Sequence, residues 1–172
     1  MVVVAIAAEM YKLKIKEASL VDAMHFVSLG RSMHREGVYS FVEYDEVIAM
    51  KTARDYIISP DCCAYLIFRG EEAIAMHMAS LTTYFFSPAK LAASLVIYVK
   101  INHRGSRAAF ILMNAFLDWA KLKDADEIYI GVSAGIELER SDKFFKHFGF
   151  DYVGGNYKKR FERVKHSGGL HL

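Results

Sequence analysis

Apolar and polar residues change their period several times along the chain, and each period implies an element. In YKLKIK, Tyr11, Leu13 and Ile15 alternate with Lys12, Lys14 and Lys16. A repeat of two is that of a half-buried strand whose charged face protects a sheet edge. Ser19 and Asp22 then resemble a helix-opening box, in which two side chains three residues apart each satisfy a free backbone amide. Leu20, Ala23, Met24 and Val27 follow at helical spacing and predict a first helix ending near Gly37. A second helix is expected from Asp45 to Ile58, with Val47, Met50, Ile57 and Ile58 on its apolar stripe. It stops before Pro60, whose ring disfavours a helical residue ahead of it.

Three strand-like runs come next: CCAYLIF, AIAMHMASLTTYFF and LAASLVIYV. Their connections are short, which suits an antiparallel meander. In the middle run Ile74, Met76 and Met78 are expected on one face, and the smaller Ala73, Ala75, His77 and Ala79 on the other. The chain then turns through KINHRGSR into a helix with Ala108, Leu112, Ala115, Phe116 and Trp119 on one stripe, and reaches EIYIGVS. Strand, helix, strand predicts a parallel pair joined by a right-handed crossover. RSDKFFKHFGF reads as a short helix with Phe144, Phe145 and Phe148 inward and Gly149 as its stop, and DYVGGNYKKRF as a final strand. The fold class is therefore α/β in the α+β sense, a mixed sheet with helices on both faces.

Composition changes this reading little. A chain of 172 residues, 53% hydrophobic and with two prolines, suits one domain spanning 1–172, with 1–9 and 166–172 as peripheral extensions. A formal net charge of +2 provides no overall field toward nucleic acid or an anionic membrane. Cys62 and Cys63 are adjacent and point to opposite faces of a strand, so neither a mutual bridge nor a metal site is expected, and the compartment reads as cytoplasmic. The opening VVVAIAA has no basic leader and is too short to span a bilayer.

The turn from Asn102 to Ala109 leaves the carboxyl end of one strand and opens a helix. Open α/β sheets tend to receive ligands there, and free backbone amides at a helix start favour an anion such as phosphate. Arg104 and Arg107 add charge, Gly105 permits close backbone approach, and Ala108 and Ala109 keep the first helical turn clear. A solvated basic loop is the alternative.

HRGSRAA between an apolar strand and an amphipathic helix resembles the pyrophosphate loop of the GNAT superfamily of N-acetyltransferases, R/Q-x-x-G-x-G/A. Arg104 matches the first position and Ala109 the last, whereas Arg107 stands where a middle glycine is usual. The resemblance extends over residues 11 to 161 through the order of elements and the GF pair at Gly149 and Phe150. It implies a mostly antiparallel sheet of about six to seven strands. It also implies a coenzyme A site without metal: main chain at Tyr98, Val99 and Ile101 for the pantetheine arm, and Arg104, Gly105, Ser106, Arg107, Ala108 and Ala109 for the pyrophosphate. In many members a tyrosine four residues before the glycine of the GF pair protonates the leaving thiolate; here Phe145 stands there, and the strand before the loop carries Ser94 instead of a carboxylate. His77, Tyr84 and Ser133 are the candidate catalytic substitutes, each with a packing or capping role as the alternative.

Three functions remain open. One is an N-acyltransferase moving an acetyl group from acetyl-CoA to a primary amine of a small molecule or macromolecule. Another is a non-catalytic binding module that keeps the coenzyme A site and acts through protein contacts. The third is a nucleic-acid binder using YKKRFERVKH, which the interrupting Glu162 disfavours. No membrane partner is expected, and the apolar aromatics of TTYFFSP and FFKHF suit an acceptor pocket, a homodimer surface or simple core packing.

Overall fold

A computed structural model describes residues 12–161. Strand β1 (Leu13–Glu17) leads into helices α1 (Ala23–Glu36) and α2 (Glu46–Ile58). The meander follows as β2 (Cys62–Arg69), β3 (Glu72–Tyr84) and β4 (Ser87–Val99), and then α3 (Ala108–Leu122), β5 (Glu127–Ile130) and α4 (Leu138–His147) complete the order. The strands lie side by side in sequence order, antiparallel from β1 to β4, with β5 parallel to β4.

Local chemistry sets the helix ends. Both the backbone N–H and the hydroxyl of Ser19 donate to Asp22 Oδ2 at 2.8 Å, and Lys16 Nζ donates to Oδ1 at 2.7 Å. Asp45 Oδ1 accepts from the amides of Val47 and Ile48 at the start of α2. At the end of α4, Gly149 takes φ +82° while the Phe150 N–H reaches the Phe145 carbonyl at 3.1 Å, closing a Schellman turn.

Two cores cover the two faces of the sheet. On one, Phe26 and Leu29 of α1 and Ala53 of α2 pack on Leu66, Met76, Met78 and Tyr98. On the other, Met113, Phe116 and Trp119 of α3 pack on Cys63, Ala79 and Ala92, and the phenylalanines of α4 close over them. Cys62 and Cys63 are both free thiols. Among the described residues no helix is long and apolar enough to cross a membrane.

Several expectations need correction. Among the described residues the sheet has five strands, not six to seven. DYVGGNYKKRF forms no strand: residues 151–161 are irregular and exposed throughout, and they meet the rest of the chain through side chains, Lys158 to Tyr39 and Arg160 to the Val38 carbonyl, in place of main-chain pairing. Tyr11 of the first strand lies outside the described residues, as do 1–9, 166–172 and Glu162. Helix α2 keeps half of the stripe expected of it: Met50 and Ile57 pack beside the buried Ala53, whereas Val47 and Ile58 are 79% and 64% exposed.

Bulges account for the remaining difference. Ala73 pairs with Phe68 and Ala75 with Ile67, which leaves Ile74 as an extra residue on β3. Alternation therefore resets there, placing Ile74 in the same cluster as Ala75, and Ala73 with Met76.

Burial works against ionisation of Asp22, but the bonds from Lys16 and Ser19 outweigh it and hold the carboxyl down at about 2. A pKa lower in the folded than in the unfolded chain stabilises above about pH 4 and ceases to do so as pH falls through the folded value. Asp22→Asn should therefore cost about 2 kcal/mol at pH 7, a difference that shrinks toward pH 2. Urea unfolding of both proteins across that range checks it.

Candidate active site

The site begins where two strands part. Pairing between β4 and β5 runs from Leu91 with Glu127 to Ser94 with Ile130 and then stops. Immediately beyond, Ser94 pairs with Ala79 and Val96 with Met78, so Leu95 is an extra residue that bends β4. The β5 side leaves as the 131–137 loop, and a cleft of about 400 Å³ opens between the two. Ser94, Val96 and Tyr98 line one wall, Gly131, Val132 and Ser133 the other, and Phe144 and Phe145 of α4 close one side. Among the described residues the β5-facing edge of β4 has no strand partner beyond Ser94, which exposes main-chain donors and acceptors to the cleft.

The basic turn forms the other end. A 3₁₀ turn at Ile101–His103 is followed by Gly105 at φ +89°, a conformation in which a side chain is strained. Ala108 then starts α3, whose first amides have no partner within the helix. Opposite them stands Arg140 of α4, its Nη2 3.9 Å from where a Cβ on Gly105 would lie.

Of the residues singled out for the cofactor, Tyr98, Val99, Arg104, Gly105, Ser106 and Ala109 line the cleft. Ile101 and Arg107 belong to the same turn but not to that lining, and Ala108 is fully buried beneath it. The three catalytic candidates fall in different places. Ser133 lines the cleft. His77 is fully buried behind β4, its Nε2 3.0 Å from Ser94 Oγ and its ring 4.5 Å from that of Phe116 in an edge-on contact. Burial pushes its imidazole down to about 3, so it is neutral at pH 7. Tyr84 sits at the opposite end of the β4–β5 pair, five residues along β3 from the Ala79 that pairs with Ser94, or roughly 17 Å away. Its hydroxyl donates to Glu127, and that bond raises the phenol above its ordinary value.

Charges around the turn are paired with each other. Glu36, the last residue of α1, accepts from the Tyr98 hydroxyl and from Arg104. Arg104 also lies 3.6 Å from Glu137 and donates through Nε to the Val99 carbonyl at 3.2 Å, leaving its side chain 13% exposed. Burial, then the bond to Glu36, raises the Tyr98 phenol. Arg140 pairs with Glu137 at 3.2 Å.

Tyr39, Glu137, Arg140 and Lys158 are site residues that the sequence reading missed. Tyr39 lies on the loop after α1, which docks on the β5 exit through the Val38 N–H and the Ala134 carbonyl at 2.9 Å. That approach needs Gly135, at φ +70°, where a Cβ would come within 2.6 Å of Val38. Lys158 donates to the Tyr39 hydroxyl at 2.6 Å across 119 residues of sequence, a separation no local pattern reveals. Among the described residues no group of three or more His, Cys, Asp or Glu could hold a metal ion.

Comparisons place this geometry among known proteins. The family model described as "Acetyltransferase (GNAT) family" matches residues 28–150. A transcriptional regulator from Bacillus halodurans C-125 superimposes with a TM-score of 0.71 at 16% identity, covering 87% of this chain and 100% of its own. AAC(6')-Iy, solved with the bisubstrate analogue CoA-S-monomethyl-acetylneamine, gives 0.70 at 15% identity, over 88% and 99%. The ribosomal-protein-alanine N-acetyltransferase from Brucella melitensis biovar Abortus 2308 gives 0.65 at 17% identity, over 88% and 100%. A search of curated proteins gave no match.

Glu36→Ala should leave the Tyr98 hydroxyl and the Arg104 guanidinium without their shared acceptor. The expected loss is about 1–3 kcal/mol of stability, with Glu36→Gln milder, as read by denaturant midpoints.

Proposed function

The chain belongs to the Acetyltransferase (GNAT) family, and from that premise we propose that it transfers an acetyl group from acetyl-CoA to a primary amine. One observation carries the reading: the unpaired edge of β4 and the amides of the Gly105 turn lie along a single cleft. A pantetheine arm is a short chain bearing amides, and an open strand edge offers it complementary donors and acceptors. A diphosphate suits backbone amides at a helix start. With Arg104 committed to Glu36 and Glu137, those amides supply most of the anion recognition, and Arg107 in the turn and Arg140 opposite Gly105 add positive charge.

Catalysis then rests on holding the amine against the thioester carbonyl in a site partly closed to water. The acceptor class follows two of the structural neighbours, AAC(6')-Iy with its CoA-S-monomethyl-acetylneamine analogue and the ribosomal-protein-alanine N-acetyltransferase. A small amine or a macromolecular one both fit this reading. A second reading, a non-catalytic module that keeps the cofactor site, draws on Phe145, which lines the cleft with no proton to give.

Acetyl-CoA should raise the melting temperature, by the equivalent of about 2.7 kcal/mol at a hundredfold excess over Kd. Gly105→Val, which forces a branched side chain into a positive-φ turn, should abolish most of that shift. Thiol release with a panel of primary amines separates the two readings: release supports transfer, while stabilisation without release supports the binding module.

A further inference from the structure

We propose that Tyr39 is the proton-transfer residue of the cleft, giving its hydroxyl proton to the departing thiolate while the Lys158 ammonium holds the phenolate left behind. The inference rests on the acetyl-transfer reading above and assigns a chemical role inside it.

Elimination among the ionisable groups of the lining leads to this residue. Arginine keeps its proton, which removes Arg104 and Arg140. Glu137 is held between those two guanidinium groups. Tyr98 already donates its hydroxyl proton to Glu36, and both burial and that bond make the proton harder to lose. Tyr39 remains.

Its surroundings differ in kind. The Tyr39 oxygen accepts from Lys158 Nζ at 2.6 Å, so its own proton is not used in that bond. The same ammonium lies 4.1 Å from the ring centroid and donates to the Ser133 carbonyl. Arg160 anchors the segment carrying Lys158, reaching the Val38 carbonyl at 2.7 Å and stacking 3.9 Å over Phe41. Three distant pieces of chain, the loop after α1, the exit of β5 and the C-terminal segment, thus converge on one phenol. Lys158 and then the Ser133 hydroxyl lower Tyr39 from its ordinary value against the opposing effect of burial. That brings it nearer to a free thiol, which titrates at about 8.5, the match a leaving-group acid needs. Among the other charged groups on the surrounding elements, Glu36, Arg104, Glu137 and Arg140 pair among themselves, and Arg160 is held on the Val38 carbonyl and the Phe41 ring.

The step balances without a further reactant. The amine nitrogen bonds to the thioester carbonyl carbon, and the C–S bond breaks with its electron pair going to sulfur. Sulfur takes the Tyr39 proton. The surplus proton on nitrogen returns to the phenolate, so the enzyme ends as it began.

The experiment starts with wild-type protein, acetyl-CoA and a panel of ethanolamine, spermidine, neamine and a peptide beginning with alanine. Tyr39→Phe should lower kcat by about a hundredfold while the acetyl-CoA Kd is unchanged. The wild-type rate should fall at high pH as Tyr39 loses its proton; Lys158→Gln should move that limb to higher pH, and Lys158→Arg should restore it. Independently of any acceptor, a carbon-13 NMR titration of the tyrosine Cζ signals, with Tyr39 assigned by its loss in Tyr39→Phe, should give a midpoint below those of the other tyrosines. Full kcat in Tyr39→Phe, an unmoved limb in Lys158→Gln or an ordinary Tyr39 midpoint overturns the proposal and leaves acetyl transfer standing. A wild-type protein that does not bind acetyl-CoA overturns both.

Discussion

Everything distinctive about this fold depends on β4 and β5 failing to stay together. A parallel pair would normally continue for as long as both strands last, because each further residue adds main-chain hydrogen bonds. Here one extra residue, Leu95, bends β4 directly after the last paired position, Ser94, and β5 ends at Ile130. The hydrogen-bonding capacity forgone by the sheet becomes the wall of a cleft. Two well-packed cores on either side of the sheet hold the bent strand, so the opening does not close by collapse.

Electrostatics divides the cleft into regions of different character. Around the turn, Glu36 and Glu137 neutralise Arg104, leaving the backbone dipoles of the α3 start as the uncompensated positive end. Backbone amides keep their direction whatever side chain they carry, so Arg107 in this turn leaves those dipoles in place. Near the β5 exit the arrangement is reversed, since an ammonium approaches a phenol with no carboxylate to cancel it. The wall at Phe144 and Phe145 is apolar and offers packing without protons.

His77 shows how burial redirects a residue that looks chemical in the sequence. Its imidazole is enclosed by the α3 core and kept neutral, so what it contributes toward the cleft is one hydrogen bond to Ser94. Tyr84, equally plausible as a string of letters, belongs to the far end of the same strand pair.

By itself the sequence determined the elements whose signals are local. The Ser19–Asp22 box, the Asp45 and Gly149 helix ends, the meander, the crossover at α3 and the Gly105 turn were all legible, because each depends on residues within a few positions of one another. Only the tertiary structure decided the rest. A bulge such as Leu95 is defined by what the neighbouring strand does, the exposed face of α2 by what Ala53 touches, and the unpaired course of 151–161 by the distant groups its side chains reach. The meeting of Tyr39, Ser133 and Lys158 joins residues far apart in the chain, and no periodicity carries information over such a distance.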